Sequence, residues 1–258
     1  MNTIKIDLPA EIQQLKLVVF ADEHIGDKHS DEKRILDRIK AVRDEQNTYC
    51  IMNGDLMNNA TCTSISDTYS ETLMPMQQLQ RCEEIFSPIA DKILAITQGN
   101  HEMRTYRKEG IDLTALMARQ LGIEDRYSQT GALIFLRFGE NKKEHPGVKQ
   151  TYIIYALHGS GGGRKEGAKV IRLADMASIV DADIYLHAHT HLPIVMKQSF
   201  FRTSISTSSV AAVDKLFVNT AANLSYGGYG EAQEFKPSSM AQPIILLDGT
   251  KRNMTATL

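Results

Sequence analysis

Five short segments of this 258-residue chain combine the carboxylate, imidazole and amide side chains that bind metal ions. The segments are residues 22–26 (DEHIG), 54–58 (GDLMN), 99–102 (GNHE), 158–159 (HG) and 187–191 (HAHTH). Six of the eight histidines lie in them, whereas histidines placed for packing would be scattered; His29 and His145, outside them, are expected at the surface. A ligand set of imidazole, carboxylate and amide oxygen suits Mn, Fe or Zn and is not typical of a Ca site. No cysteine falls in the segments, which argues against a structural zinc site of the cysteine type.

Each segment directly follows an apolar run that is typical of a buried strand. The runs are 16–21, 49–53, 92–97, 151–157 and 183–186. In open α/β sheets, ligands bind beyond the carboxyl ends of the strands, where short loops bring together residues that are distant in sequence. Glycines beside the candidate ligands permit the sharp turns that this arrangement needs; they are Gly26, Gly54, Gly99 and Gly159.

The first half of the chain alternates these strands with helical patterns. The spacing of apolar residues predicts helices over 31–45, 71–89 and 111–121, the first with Ser30 or Asp31 as its N-cap. Strands and helices alternate up to about residue 120, which indicates parallel strands joined by crossover helices.

The second half is richer in strands and has one good helical segment, about 166–179. Its apolar runs lie close together, at 131–138, 151–157, 183–187, 192–197, 216–219 and 243–248. This pattern predicts a second sheet packed on the first. The segment 225–242, rich in Gly, Ser, Pro and Tyr, is predicted to be a long ordered loop, and loops of that length are often functional.

Composition limits the classes of protein that the chain can represent. Apolar residues make up 42% and charged residues 23%, an ordinary balance for a globular protein, and we expect a single domain over 1–258. The net charge of −2 predicts no general attraction to nucleic acid, so any basic surface must be local. Three cysteines without regular spacing suit a reducing compartment. With neither a signal-peptide pattern nor a membrane-spanning apolar run, the expected location is cytoplasmic and no membrane partner is expected.

The ordered series D-x-H-x-G, G-D-x-x-N, G-N-H-E, an isolated His and H-T-H resembles the calcineurin-like metallophosphoesterase superfamily. The resemblance covers residues from about 16 to 198 in the family's order and approximate spacing. It implies an α/β fold with a two-sheet β-sandwich core flanked by helices, in four αββα layers. Two features depart from the usual pattern: Ala188 stands where Gly usually precedes H-T-H, and His158 opens a Gly-rich HGSGGG stretch.

The resemblance also implies a dinuclear metal site. One ion would be held by Asp22, His24 and His191, the other by Asn100, His158 and His189, and Asp55 would bridge them. Manganese is the expected metal, with Fe, Zn, Ni and Co as alternatives, because affinity follows a general series and availability decides. Glu23 and Glu102 are expected to support the ligands, and His187 to be a structural residue and not a further ligand.

Such a site would hydrolyse phosphate esters. Two cations roughly 3.5–4 Å apart bind a bridging water, lower its pKa toward neutrality and present hydroxide for in-line attack. The resemblance assigns His101 to transition-state stabilisation or protonation of the leaving group; orienting the substrate or supporting a ligand is the alternative.

Basic residues near the motifs favour a phosphodiesterase or nuclease acting on nucleic acid or nucleotides, similar to the compact, DNA-repair-exonuclease-like branch of the family. Arg104, Arg107 and Arg164 are the candidate substrate contacts, with Lys108 and Lys165 beside them. The Gly-rich stretch lacks the G-K-[ST] ending of a phosphate-binding P-loop. Base stacking by Tyr226 and Tyr229 is one interpretation, and packing or a subunit contact is the alternative. The alternatives are a phosphomonoesterase, including a phosphoprotein phosphatase, and a non-catalytic scaffold.

Overall fold

The computed structural model of the protein describes residues 1–62, 64, 68–141, 146–161 and 163–258, without the side chain of Tyr229. The predicted surface position of His145 and the predicted stacking role of Tyr229 lie outside this description. The strands are β1 Asn2–Asp7, β2 Gln14–Phe20, β3 Thr48–Asn53, β4 Ile93–Thr97, β5 Tyr127–Ser128, β6 Ala132–Phe138, β7 Gln150–Ala156, β8 Ile184–His187, β9 Ile194–Ser204, β10 Ser209–Asn219, β11 Ile244–Asp248 and β12 Met254–Thr257. The α-helices are α1 Glu32–Asp44, α2 Pro75–Phe86, α3 Glu102–Glu109, α4 Leu113–Gln120, α5 Glu166–Asp175 and α6 Gly228–Ala232. Within the described residues no helix has the length and apolar character needed to cross a membrane.

The strands form two six-stranded sheets. The first sheet has the order β12-β11-β2-β3-β4-β5, and the second has the order β1-β6-β7-β8-β10-β9. Strands β2, β3, β4 and β5 run parallel, as the alternating pattern predicts, and in the second sheet β7, β8 and β10 are also parallel. The carboxyl ends of neighbouring strands therefore meet at one edge of each sheet.

Alternate residues of the central strands enter different layers. On β2, Leu17 and Val19 lie in the core between the two sheets, whereas Val18 and Phe20 pack against the helices of the first half. On the far side of the second sheet, Tyr155 packs in a cluster with Leu173 of α5. Because successive side chains of a strand point to opposite faces, each sheet binds its partner sheet on one face and helices on the other. The four-layer sandwich expected from the sequence is confirmed.

The element boundaries differ from the predicted ones in a few places. The helix predicted over 71–89 begins only at α2, where Pro75 occupies the first turn, a position that tolerates a missing N–H. The short helix α3, the edge strands β1 and β12, and the full length of the β9–β10 hairpin were not predicted. The predicted loop 225–242 contains the five-residue helix α6. Helix α1 confirms its predicted cap, because Asp31 Oδ1 accepts a hydrogen bond from Arg34 N at 3.2 Å.

Candidate metal centre

All seven predicted metal ligands lie at the carboxyl ends of strands, where the two sheets meet. The loops after β2, β3 and β4 come from the first sheet, and the segments after β7 and β8 come from the second. Three overlapping sets of side chains bring their ligand atoms within 4.8 Å of one another: Asp22 with His24 and His191; His24 with Asp55 and His101; and Asp55 with His158 and His189.

The loops that carry these ligands turn sharply. Nine non-glycine positions among the described residues have a positive φ. Five of the nine are predicted ligands: Asp22 (53°), His24 (49°), Asp55 (51°), His189 (63°) and His191 (56°). The left-handed region disfavours residues with a Cβ, and such strain clusters at functional sites. The strained turns therefore coincide with the predicted ligands.

One group of donors surrounds Asp22. Its carboxylate is fully buried, and Oδ1 lies 3.2 Å from His191 Nε2. His24 Nε2 lies 3.4 Å from the same nitrogen of His191. The Asp22 carboxylate also accepts a hydrogen bond from His189 N, at 3.1 Å from Oδ2. This group is the one that the family resemblance assigns to the first metal ion.

The second group surrounds the amide oxygen of Asn100. Asn100 Oδ1 lies 2.6 Å from His189 Nδ1 and 3.1 Å from His158 Nε2. His158 Nε2 is also 3.1 Å from Asp55 Oδ2, although the two residues follow strands of different sheets. Asp55 therefore lies between this group and His24, the position that a bridging ligand requires.

Hydrogen bonds behind the ligands fix which ring nitrogen faces the centre. His24 Nδ1 donates to Asn58 Oδ1 at 3.2 Å, because the Asn58 amide nitrogen is directed at the carboxylates of Asp27 and Glu71. His158 Nδ1 donates to the Asn53 carbonyl at 2.8 Å. In both rings Nε2 is therefore the nitrogen directed into the centre, as outer partners arrange for metal-binding histidines. No local pattern in the sequence indicates this role of Asn58.

The buried carboxylates of the cluster are stabilised by positive charge close to them. Burial opposes ionisation of Asp55, but His158 and His101 around it hold its pKa well below the usual value. Burial likewise disfavours the charged form of His158, but the carboxylates of Asp55 and Asp22 raise its pKa to about 10. Burial, followed by the proximity of His158, lowers the pKa of His189 to about 4. Buried carboxylates that draw a proton onto a facing imidazole fit divalent cations, which would take the place of that proton, so the residues present suit the metal ions that the family implies.

His101 lies next to this cluster and contacts it in two ways. Its backbone N–H donates to Asp55 Oδ1 at 2.8 Å, and its ring Nε2 lies 3.8 Å from Asp55 Oδ2. His101 Nδ1 donates to the Asn58 carbonyl at 2.7 Å, so Nε2 accepts from Arg104 Nη2 at 3.0 Å. Burial lowers the pKa of His101; Asp55 opposes this effect and Arg104 adds to it. Arg104, a predicted substrate contact, therefore lies at the site beside His101.

Two buried glutamates support the loops. Glu102 Oε2 accepts from the backbone N–H groups of Asp55 and Gly99, and Oε1 accepts from Met57 N, at 3.0–3.1 Å. The carboxylate thereby ties the loop after β3 to the loop after β4. Glu23 pairs with Arg38 at 2.6 Å behind the loop of Asp22. Both glutamates lie where the sequence predicts them, behind the ligands.

The glycines between these loops allow a close approach of the two backbones. A Cβ on Gly99 would lie 2.1 Å from Asp55 N, and a Cβ on Gly54, whose φ is 81°, would lie 2.6 Å from Gly99 Cα. His187 packs its ring against Gly159 and donates from Nδ1 to Asn219 Oδ1 at 2.8 Å. His187 belongs to none of the three donor sets.

The remaining candidates lie farther from the donors or differ from expectation. Arg107 is exposed in the last turn of α3, and Arg164 places its guanidinium over the Phe235 ring at 5.3 Å from the centroid. His29 is not on the surface: it is half-buried, with its ring against Gly227, because the segment after β10 folds over the loop of Asp22. Lys169 of α5 is not among the residues predicted from the sequence. Its Nζ donates to the carbonyl oxygen of Thr190 at 2.8 Å, and Thr190 lies between His189 and His191 in the chain.

The fold and the donor cluster define the class of protein, a metallophosphoesterase with a two-sheet core. A family model described as calcineurin-like phosphoesterase matches residues 15–193, and the chain belongs to this family. The family and the Asp and His clusters together indicate divalent metal binding. A comparison with curated proteins gives no match.

A search of solved structures finds matches of low sequence identity. A predicted phosphoesterase from Streptococcus pneumoniae TIGR4 is 13% identical with a TM-score of 0.36, and the match covers 91% of this chain and 84% of that one. Vacuolar protein sorting 29 from Cryptosporidium parvum is 12% identical with a TM-score of 0.43, covering 95% and 97%. Nuclease MPE from Pseudomonas putida is 15% identical with a TM-score of 0.36, covering 93% and 87%.

Proposed function

We propose that the protein hydrolyses phosphate esters at a dinuclear metal centre and that its substrates are phosphodiesters of nucleic acids or nucleotides. The observation that carries the proposal is the convergence of five strand ends from two sheets on one buried set of donors. One ion would be held by Asp22, His24 and His191, the other by Asn100, His158 and His189, with Asp55 between them. Two divalent cations, with Mn preferred, would supply a nucleophile from water at neutral pH and offset charge on the phosphoryl oxygens.

His101 is the proposed proton donor to the departing oxygen. Its Nδ1 is anchored on the Asn58 carbonyl, so Nε2 is the atom directed toward the centre. Arg104, 3.0 Å from that nitrogen, can bind an oxygen of the phosphate ester instead, which leaves Nε2 free to take up a proton from solvent and pass it to the departing oxygen. Proton transfer from a positioned side chain typically contributes about 10²–10⁴-fold to the rate.

Two positive charges on different helices, α3 and α5, support a substrate that extends beyond one phosphoryl group. Arg104 borders the centre beside His101, and Lys169 borders it at the turn of His189 and His191. A phosphodiester within a nucleotide chain carries further negative charge that such positions attract. This arrangement favours a diesterase over a monoesterase.

The proposal is tested with protein stripped of metal and reloaded separately with Mn, Fe, Co, Ni or Zn. Turnover of bis-p-nitrophenyl phosphate is compared with turnover of p-nitrophenyl phosphate and with degradation of single-stranded DNA. Faster diester turnover together with DNA degradation supports the proposal. Exclusive monoester turnover contradicts the diester assignment, and no turnover with any metal contradicts hydrolysis and favours a scaffold.

A further inference from the structure

Lys169 fixes a positive charge against the turn that carries two proposed ligands. Its Nζ donates a hydrogen bond to Thr190 O at 2.8 Å, and Thr190 separates His189 from His191 in the chain. Thr190 is buried, and its hydroxyl accepts from the side-chain amide of Asn219 at 3.0 Å. The ammonium group is therefore held in place next to the metal centre.

This ammonium group retains hydrogen-bonding capacity. A lysine side chain carries three N–H donors, and Thr190 O is the hydrogen-bond acceptor that it reaches within the described part of the chain. Glu166, the acidic residue three positions earlier on α5, pairs instead with Lys236 at 2.8 Å. The charge on Lys169 is thus available to an anion.

Arg172 adds a second positive charge on the same side of α5. It follows Lys169 by three residues, so the two side chains are neighbours on the helix surface. The Arg172 guanidinium packs on Gly161, where a Cβ would lie 2.4 Å from Arg172 Cζ, and the φ of 109° at Gly161 favours glycine. Gly161 lies three residues after His158. Arg172 therefore borders the segment after β7, and Lys169 borders the turn after β8.

The other basic residues of this region have different contacts. Arg164 lies over the Phe235 ring, and Lys236 is paired with Glu166. Arg104 lies beside His101 and donates to the carbonyl oxygens of Asn58 and Asn59. Within the described residues, Lys169 retains donors beyond its bond to Thr190 O, and the Arg172 guanidinium packs on Gly161 without a hydrogen-bond acceptor, so both can bind a second anionic group.

We propose that Lys169 and Arg172 form a subsite for the phosphate adjacent to the scissile one in an oligonucleotide, an inference that rests on the proposed phosphodiester substrate. The ammonium and guanidinium groups donate charge-assisted hydrogen bonds to the phosphate oxygens. An aryl ester or a dinucleoside monophosphate has one phosphate and leaves the subsite empty. The subsite thus selects a chain of nucleotides over a small diester.

Binding to metal-free protein tests the subsite without catalysis. The Kd of a fluorescently labelled hexathymidylate is measured by anisotropy in EDTA at several salt concentrations. Lys169→Met and Arg172→Met are each expected to weaken binding about tenfold, equivalent to one charge-assisted contact. Each substitution is also expected to make the plot of log K against log salt concentration shallower by about 0.7. Lys169→Arg retains most of the affinity, and Lys40→Met, at an exposed position on α1, changes neither quantity.

If Lys169→Met and Arg172→Met bind hexathymidylate as tightly as the wild type does, the subsite is refuted. It is also refuted if the wild type shows no salt-dependent binding. Thermal melts show whether the variants fold, and Arg172→Met, at an exposed position, serves if Lys169→Met does not. Wild-type turnover of bis-p-nitrophenyl phosphate tests the proposed function separately. Turnover of that ester with unchanged oligonucleotide binding in the variants refutes the subsite alone. Lys169-dependent binding without any turnover supports the anion site and refutes the proposed hydrolysis.

Discussion

The carboxylate of Asp55 lies 3.1 Å from Nε2 of His158, although Asp55 follows β3 of the first sheet and His158 follows β7 of the second. The same carboxylate accepts from the backbone N–H of His101 in the loop after β4. Asp55 therefore links the loops after β3, β4 and β7, and its negative charge attracts the imidazole rings that face it. This position suits the metal-bridging role that is proposed for Asp55.

The substitution Asp55→Ala is expected to remove both bound metals and nearly all activity, because each proposed ion loses a shared ligand. Metal content after desalting, measured by mass spectrometry, and turnover of bis-p-nitrophenyl phosphate check this. Asp37→Ala, at an exposed position on α1, is the matched control and keeps wild-type metal content. Two bound ions per chain in Asp55→Ala would contradict the bridging assignment.

The substitution His101→Ala is expected to retain bound metal and to lower kcat by about 10²–10⁴-fold, since the ring is proposed to donate a proton and not to bind an ion. The loss should grow as the leaving group becomes more basic, because a poor leaving group needs protonation most. A series of aryl diesters of increasing phenol pKa measures this dependence. Loss of metal in the variant, or an equal loss across the series, would show that His101 acts as a ligand or orients the substrate.

Apolar runs in the sequence predicted the parallel strands, a second sheet and the convergence of five motif segments at strand ends, whereas the resemblance to the family supplied the sandwich fold and the choice of the seven ligands. The sequence could not identify β1, where Ile4 is buried but the alternating residues are polar or partly exposed. Nor could it identify Asn58 as the partner of His24 or connect Lys169 to Thr190. Those contacts depend on how loops from separate strands pack, and no local periodicity encodes them.

The substitution Gly99→Ala is expected to lower both stability and metal content, because the added Cβ would lie 2.1 Å from the backbone nitrogen of Asp55. Overpacking of this kind costs about 1–3 kcal/mol and displaces the loops that carry Asp55 and Asn100. Thermal melting and metal content are the measurements. Gly167→Ala in α5 is the control: its Cβ would meet nothing within 4 Å, and alanine in a helix stabilises by up to about 1 kcal/mol. Equal melting temperatures and metal contents in the two variants would refute the close approach of the two loops.

Metal binding is expected to stabilise the fold, since five proposed ligands have left-handed backbone conformations and two carboxylates are buried among them. A ligand at 100 times its Kd stabilises by about 2.7 kcal/mol, which raises the Tm of a chain of this size by roughly 5–10 °C. Melting curves in EDTA and in each of the five metals measure the shift and rank the ions. The shift should vanish in Asp55→Ala, and a shift that persists there would place the metal elsewhere.

The substitution Asn58→Ala is expected to weaken metal binding although Asn58 is not a proposed ligand. Its side-chain oxygen accepts from His24 Nδ1 and so directs Nε2 into the centre, and its amide nitrogen is directed at Asp27 and Glu71. Loss of such an outer partner typically lowers metal affinity by about 10–100-fold. Competition with a chelator of known affinity measures the change, and Asn2→Ala, at an exposed position on the edge strand β1, is the control. His101 Nδ1 donates to the backbone carbonyl of Asn58, which the substitution leaves in place. The rate at saturating metal should therefore fall far less than the metal affinity. An unchanged metal affinity would show that His24 keeps its orientation without this hydrogen bond.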